Sequence, residues 1–501
     1  MAFSSSLSIF PPPCHHHLQS SKSIPLLSSP LLKHKTRTKF RSLSVVPKVS
    51  SHLFDPLVLQ IAEALEDSHS SHSKQSPILQ KLRDLSAESA LSCSWPTRKD
   101  ESYKTIDISS IKNSQISSIS HTPANRIRFE LDGDDDAETL NIVIVDGHII
   151  DSKSNLDELP DNVYVGGILG ITSDEISEKV MKFVSNSENR DLFWSLNGIG
   201  APDVTIVYVP TDCIVEKPLR FKFYSQETSE IGSRNLPMSN PRVLVLVDKG
   251  GEVGIVEEYL GSCGGCKEED DSYWVNSVME VQIGEGGKVV HTYLQQEAPS
   301  AAHFKWTAVR QESCSTYNLV EVSTGGKLSR HNLHIQQLGP DTFTEASSFH
   351  VCVRPQIQDL HSNIILDHPR GFVRQRHKGI GDHSRSRVVC NGNIVMSNPA
   401  LKTDYDQVIR GLLLVDGATA KMEPRIQANK NEVKRLSHGS NISGIDNDEL
   451  FYLCSRGMYL EAAKKALAFA FGCEVMYRLP YVSLRKKVES LIRRLQDRTP
   501  S

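Results

Sequence analysis

One side chain of this 501-residue chain stands out for chemistry: His438, in the run Ser437-His438-Gly439 where a strand-rich region gives way to a helical tail. An imidazole at such a boundary can ligate a metal or carry a proton. Its small neighbours let another chain or a ligand come close. One histidine cannot hold a metal alone, because a tetrahedral site needs at least three more ligands. Either the others come from elsewhere, a partner subunit included, or His438 is a hydrogen-bonded turn residue.

Other candidate ligands are weaker. Cys263-Gly-Gly-Cys266 has metal or redox spacing, but no second ligand pair lies at ribbon distance. It runs into Lys267, Glu268, Glu269, Asp270 and Asp271, which reads as a solvated charged loop. Imidazoles gather at His331, His334, His361, His368, His377 and His383, a pattern that raises a cupin-like metal site. They are interleaved with Arg370, Arg374, Arg376, Arg385 and Arg387, whose charge disfavours a bound cation. Solenoid turns and interface contacts are the more economical use. The sequence holds no GxxxxGK[ST], GxSxG, HExxH or Rossmann fingerprint. Gly284-Glu285-Gly286-Gly287-Lys288 lacks phosphate-loop spacing and reads as a turn between strands, so the chain itself is not expected to hydrolyse ATP.

Periodicity indicates the elements that must carry these residues. Leu57, Ile61 and Leu65, then Ile78, Leu82 and Leu85, recur at helical spacing around a Ser/His-rich break at 68–76. From about residue 139, short β-branched runs alternate with Gly, Asn and Asp turns, interrupted over 162–201 by a helix-like segment, EISEKVMKFVSN. Gly pairs at 250–251, 286–287 and 325–326 each precede a strand, so like units are expected to stack as a β-helix, with a two-sheet sandwich as the competitor. The chain ends in helices. Asp446 or Asn447 can cap the first, Gly457 can stop it, and 459–472 is rich in helix formers. In the last helix Leu484, Val488, Leu491 and Leu495 form an apolar face, with Arg485, Lys486, Lys487, Arg493 and Arg494 elsewhere. That helix either docks a partner or packs on its own domain.

Composition adds a compartment. The first 54 residues carry seven Lys/Arg, many Ser and no Asp or Glu. Pro11, Pro12 and Pro13 bar an early helix, which favours a plastid transit peptide over a mitochondrial one. Removing this leader takes the net charge from −4 to about −11, which argues against nucleic acid as a partner. No apolar run is long enough for a membrane-spanning helix. Ten scattered cysteines do not form a disulfide framework.

Four segments carry a family resemblance. PTRKDESYKTID (96–107) is similar to the start of SufB/SufD proteins, with Tyr103 in place of their usual Trp. Asp359 to Gly392 carries a run similar to theirs: His361, Ile365, His368, Lys378, Gly379, Ser386, Arg387, Asn391 and Gly392, with Ile394 just beyond. KTDYDQVIRGLLLVDGATAKMEPRIQA and SHG…G-ID-DELFYL-SRG complete the pattern, from about 95 to 475. The chain thus resembles the SufB/SufD family of iron–sulfur cluster assembly, and within it the plastid type of SufD.

The resemblance implies an α+β, mainly β fold: a central right-handed β-helix, or solenoid, flanked by N-terminal and C-terminal helical regions. The expected domains are a transit peptide at 1–54, an N-terminal helical region at 55–135, the β-helix at 136–440 and a C-terminal helical SufC-docking domain at 441–501. It implies a non-catalytic scaffold subunit in the plastid stroma, paired with a SufB-like subunit and with a SufC-like ATPase. A nascent iron–sulfur cluster would form at the SufB interface, with His438 as one metal ligand and a partner cysteine as another; imidazole and thiolate suit such clusters. A reduced flavin in the assembled complex is a further cofactor the resemblance raises. The chain departs from the family at two thiols. Val408 follows Gln407 where SufB has its cluster-building cysteine, and Leu436 stands where SufD has a cysteine before the Ser-His-Gly run. The rivals are an enzyme, either a polysaccharide-cleaving solenoid or a His-metal catalyst, and a docking protein that never touches the cluster.

Overall fold

Most of this chain forms strands, and the alternation of side chains along them decides which residues fill the interior. The computed structural model describes residues 55–69, 76–119 and 138–497, apart from 152–153, 157, 161, 187–189, 226–228, 231, 263–270, 398–399 and 429–432. The leader, Cys263 and Cys266, and most of the Ser/His-rich break therefore lie outside the described residues.

Helices α1 (Pro56–His69) and α2 (Pro77–Leu91) follow the expected spacing. Val58, Ile61, Ala62 and Leu65 bury one face of α1, and Ile78, Leu79 and Leu82 one face of α2. Pro77 stands at the start of α2, where its missing N–H costs nothing. A short helix, α3, spans Ser109–Lys112. Helix α4 (Asp174–Ser185) is capped by Ser173, whose hydroxyl accepts from the Ile176 N–H. Helix α5 (Leu192–Gly200) is buried along its whole length, against α1, α2 and the sheet. Asn197 on α5 donates to the carbonyls of Pro241 (3.1 Å) and Asn276 (2.7 Å), and accepts from Arg242 at 3.0 Å. These bonds lock the helical layer to the first turns of the sheet.

Apart from one short antiparallel pair, Ser229–Glu230 with Asp271–Ser272, the described strands form two sheets, of 11 and 10 strands, whose long central ladders are parallel. Consecutive strands fall in opposite sheets. Lys288–Gln295 pairs with Thr316–Ser323, while the intervening Ala302–Gln311 pairs with Trp274–Ile283 and Leu328–Gln337 in the other sheet. The chain therefore winds as a β-helix. Lys288 lies beside Thr316, Thr316 beside Phe343, Phe343 beside Phe372, Phe372 beside Asp404 and Asp404 beside Arg435. One turn thus takes roughly 30 residues, within the usual range of a structural repeat. The Gly-pair spacing is not that period. Gly250-Gly251 and Gly286-Gly287 precede neighbouring strands of one sheet, whereas Gly325-Gly326 precedes a strand of the other.

Inward side chains such as Ile255, Leu319, Ile335, Ile364 and Ile394 form the lumen core. Each fully buried aliphatic contributes about 1.5–3 kcal/mol relative to exposure. The stretch 101–105, within PTRKDESYKTID, lies across the outer face of the 11-stranded sheet. Arginines on separate strands hold it: Arg330 donates to the Ser102 carbonyl and Arg387 to that of Thr105, both at 2.6 Å, and Arg425 pairs with Glu101 at 2.7 Å. Arg330 also lies 4.2 Å from the centre of the Tyr103 ring.

The tail forms α6 (Asn447–Ser455), α7 (Leu460–Met476) and α8 (Val482–Asp497). Asp446 caps α6 by accepting from the Asp448 N–H, and Gly457 follows it with a left-handed φ of +95°. Helices α7 and α8 cover the outer face of the 10-stranded sheet, packing Ala468, Val475, Leu484, Val488 and Ile492 on Val256, Val322, Phe349, Val351 and Ile380. Gly472 meets this sheet closely: a Cβ there would lie 2.4 Å from the Phe349 ring. The apolar face of α8 runs through Leu484, Val488 and Ile492 rather than Leu491, because Ile492 completes the four-residue step. That face is spent on the chain's own sheet.

Candidate functional site

Strand Arg435–Ser443 is the last of the 10-stranded sheet and pairs only with Asp404–Leu413. The other sheet likewise ends on Thr419–Ala428. Among the described residues neither outer edge has a partner strand. The solenoid therefore ends in open backbone edges, which are templates for another chain.

His438 sits on this edge strand, in register with Gln407, which is in register with Gln375. Register partners in a parallel ladder share a face. Gln375 Nε2 donates to Ser362 Oγ on the opposite sheet, so this face lines the lumen. His438 is thus an exposed residue of the last lumen column, at its mouth. Leu436, Ser440 and Ile442 share its face, Leu436 with 46% of its surface exposed. No Cβ at Gly439 would meet any atom within 4 Å, so a partner can approach there. Val408 is paired with Gly439, and alternation turns its side chain to the opposite face from Gln407.

The lumen behind His438 is unexpectedly polar. Lys305, fully buried, donates to Glu257 Oε1 at 2.6 Å. Glu257 Oε2 takes His291 Nε2 at 2.9 Å, and His291 Nδ1 meets the Tyr317 hydroxyl at 2.8 Å. Further along, Glu321 bridges His331 (3.0 Å) and His350 (2.8 Å), and the His377 ring stands edge-on to His350 with centroids 4.9 Å apart. Burial pushes the Glu257 carboxyl up, yet Lys305 and His291 outweigh it and hold it down at about 2. His331 and His350 hold the Glu321 carboxyl well below its usual range in the same way, against burial. Burial pushes His291, His303 and His377 down, so they are neutral at pH 7. The His291–Glu257 contact is therefore a hydrogen bond from a neutral ring rather than an ion pair.

The six clustered histidines do not converge. His331 and His377 line the lumen, and His334 and His361 face outward, with His361 within 3.0 Å of Asp359. His368 and His383 lie in turns. Among the described residues no group of three or more His, Cys, Asp or Glu side chains could hold a metal ion. The described cysteines are all free, and burial pushes the Cys352 thiol up to about 12 and that of Cys390 higher still. Neither is a thiolate at neutral pH. If His438 ligates a metal, the described residues do not complete its ligand set.

A second surface lies on the tail. Helix α6 buries none of its residues. Phe451 is 76% and Tyr459 87% exposed, with Tyr452, Met458 and Leu460 beside them in sequence. Apolar side chains grouped this way mark an interaction surface.

Sequence reasoning located His438 and the helical tail but missed the polar lumen. The signal was the parity of Glu257, His291, Lys305, Glu321 and His331 along their strands, legible only once register is known.

Two family models match: the SUF system FeS cluster assembly SufBD core domain over residues 229–471, and the SufBD protein N-terminal region over residues 62–221. The chloroplastic protein ABCI7 of Arabidopsis thaliana is 46% identical over 473 residues, covering 94% of this chain and 97% of that relative. An iron–sulfur cluster assembly SufBD family protein of Synechocystis is 27% identical over 86% of the chain and 94% of its own length. The iron–sulfur cluster assembly protein SufD of Escherichia coli is 25% identical, covering 81% and 89%.

Proposed function

Because this chain belongs to the SufBD family of iron–sulfur cluster assembly proteins, we propose that it is a SufD-type scaffold subunit of a plastid SufB–SufC–SufD complex. It pairs with a SufB-like subunit through the open end of the β-helix. It docks a SufC-like ATPase through its C-terminal helices, and ATP hydrolysis comes from that partner. His438 supplies one ligand to a nascent cluster whose thiolate ligand comes from SufB. The protein acts in the chloroplast stroma after loss of its leader, as the chloroplastic relative suggests.

The observation that carries this reading is the position of His438. It is an exposed imidazole at the mouth of the lumen, on an edge strand whose outer side is free among the described residues. Leu436 cannot bind iron, so the histidine is the only ligand this segment offers. The Phe451/Tyr459 surface supports the second contact, since its apolar side chains stand exposed on the tail rather than packed on the sheet.

The test is co-expression with SufB and SufC candidates from plastids. His438→Ala is expected to leave the purified complex intact and to lower its iron and sulfide content. Unchanged iron loading in an intact mutant complex would remove the ligand role.

A further inference from the structure

The lumen mouth holds a buried acceptor with no donor. Gln407 is fully buried, yet its Oε1 has no hydrogen-bond partner among the described residues. The other end of the amide is committed. Its Nε2 donates to Gln375 Oε1 at 2.9 Å, and Gln375 Nε2 donates to Ser362 Oγ at 2.6 Å.

This chain of bonds has a direction. From Gln407 to Gln375 an N–H is passed one rung inward, so the open oxygen of Gln407 is left for the next rung outward. The residue in register there is His438. Neighbouring strands lie about 4.8 Å apart, so the two side chains stand one ladder step from each other on the same face. A bare buried carbonyl oxygen is costly, whereas a ring N–H from the rung above would satisfy it.

Gly392 shows that the place is shaped for this amide. A Cβ at residue 392 would lie 2.1 Å from Gln407 Nε2. The Gly392 backbone is not left-handed, so what requires glycine there is space for the carboxamide.

We propose that Gln407 is a positioning residue for His438. Its Oε1 accepts the N–H of one ring nitrogen, which sets the tautomer and orientation of the imidazole. The lone pair of the other nitrogen then points out of the solenoid mouth toward an incoming metal. Ligating histidines are commonly held in this way by an acceptor on their second nitrogen. This inference rests on the reading of His438 as a cluster ligand.

The test uses the full chain, without partners or metal, labelled with ¹⁵N-histidine. Long-range ¹H–¹⁵N correlation spectra report the tautomer of each ring at a pH where it is neutral, and His438→Ala identifies the His438 signals. Wild type is expected to show one dominant His438 tautomer. Gln407→Leu should shift the tautomer ratio about two- to tenfold toward that of a free imidazole, the size one neutral hydrogen bond supports. Gln407→Met serves if the leucine variant does not fold. A His438 tautomer ratio that is the same in wild type and in the folded variant overturns the proposal, with solvent as the donor to Gln407. Iron content of the co-expressed complexes separates this from the reading beneath it. Loss of iron in His438→Ala, with no tautomer change on replacing Gln407, overturns the positioning role alone. A tautomer change without iron loss in His438→Ala upholds the hydrogen bond and removes the metal ligand.

Discussion

Replacing Lys305 by Met removes the one ammonium from the sealed lumen pair and leaves the Glu257 carboxylate behind. Both side chains are fully buried and 2.6 Å apart. Breaking a buried pair from one side costs about 3–5 kcal/mol, because the remaining charge is neither hydrated nor paired. Here His291 Nε2 (2.9 Å) and the Tyr259 hydroxyl (3.2 Å) still donate to Glu257, which places the expected loss near the lower end, about 3 kcal/mol. The sign with pH follows. Wild-type Glu257 is held at about 2, largely by Lys305 against burial. Without Lys305, burial raises that pKa, so the carboxyl protonates earlier on acidification and the stranded charge disappears. The deficit of Lys305→Met is therefore largest at neutral pH and shrinks toward pH 5. Glu257→Gln added to Lys305→Met should recover part of the loss, since no uncompensated charge remains. Urea unfolding followed by tryptophan fluorescence and far-UV circular dichroism at pH 7 and pH 5 measures all three quantities. A single-variant loss under about 1 kcal/mol at pH 7, or a double variant whose loss equals the sum of the singles, would refute the coupling.

Two further outcomes follow from the geometry. Folded-state pKa values of His291, His303 and His377 are pushed down by burial, so these rings bind protons more readily in the unfolded chain. Stability should therefore fall as pH drops below about 6.5, with Glu257 adding loss below about 4.3. His377→Gln, which keeps a partner for the Ser348 hydroxyl, should lower the slope between pH 6.5 and 5 by an amount that approaches the one-proton limit of about 1.4 kcal/mol per pH unit at the acid end; an unchanged slope in acid titrations would show that His377 is not one of the groups responsible. On the tail, Phe451→Asp with Tyr459→Asp should weaken binding to a SufC-type ATPase at least tenfold in calorimetry while leaving the melting temperature of the free chain unchanged, because neither side chain is packed. Equal affinity of the double variant would move the ATPase contact elsewhere.

Much of the architecture was legible in the sequence for physical reasons. Helix spacing in α1 and α2, the Asp446 cap, the Gly457 stop and strand alternation are local properties, set by residues a few positions apart. The solenoid period was less legible. Turns that look alike, such as those at 250–251 and 325–326, serve different sheets, and only the winding of the chain tells them apart. The face of α8 was off at one position because Leu491 and Ile492 are both apolar, and packing on Phe349 and its neighbours decides between them.

The candidate site divides along the same line. Residue type and spacing alone singled out His438 and the absence of a nucleotide-binding loop, whereas the thiols missing at Val408 and Leu436 are visible only against the family resemblance. That His438 stands at the mouth of a lumen, one rung beyond a buried Gln407 with an open acceptor, was decided by parallel register between strands about 30 residues apart. The same register gathers Glu257, His291, Lys305, Glu321, His331, His350 and His377 into one buried interior. Nothing local marks those residues as neighbours. Their charges and hydrogen bonds acquire meaning only when the two sheets close around them and exclude water.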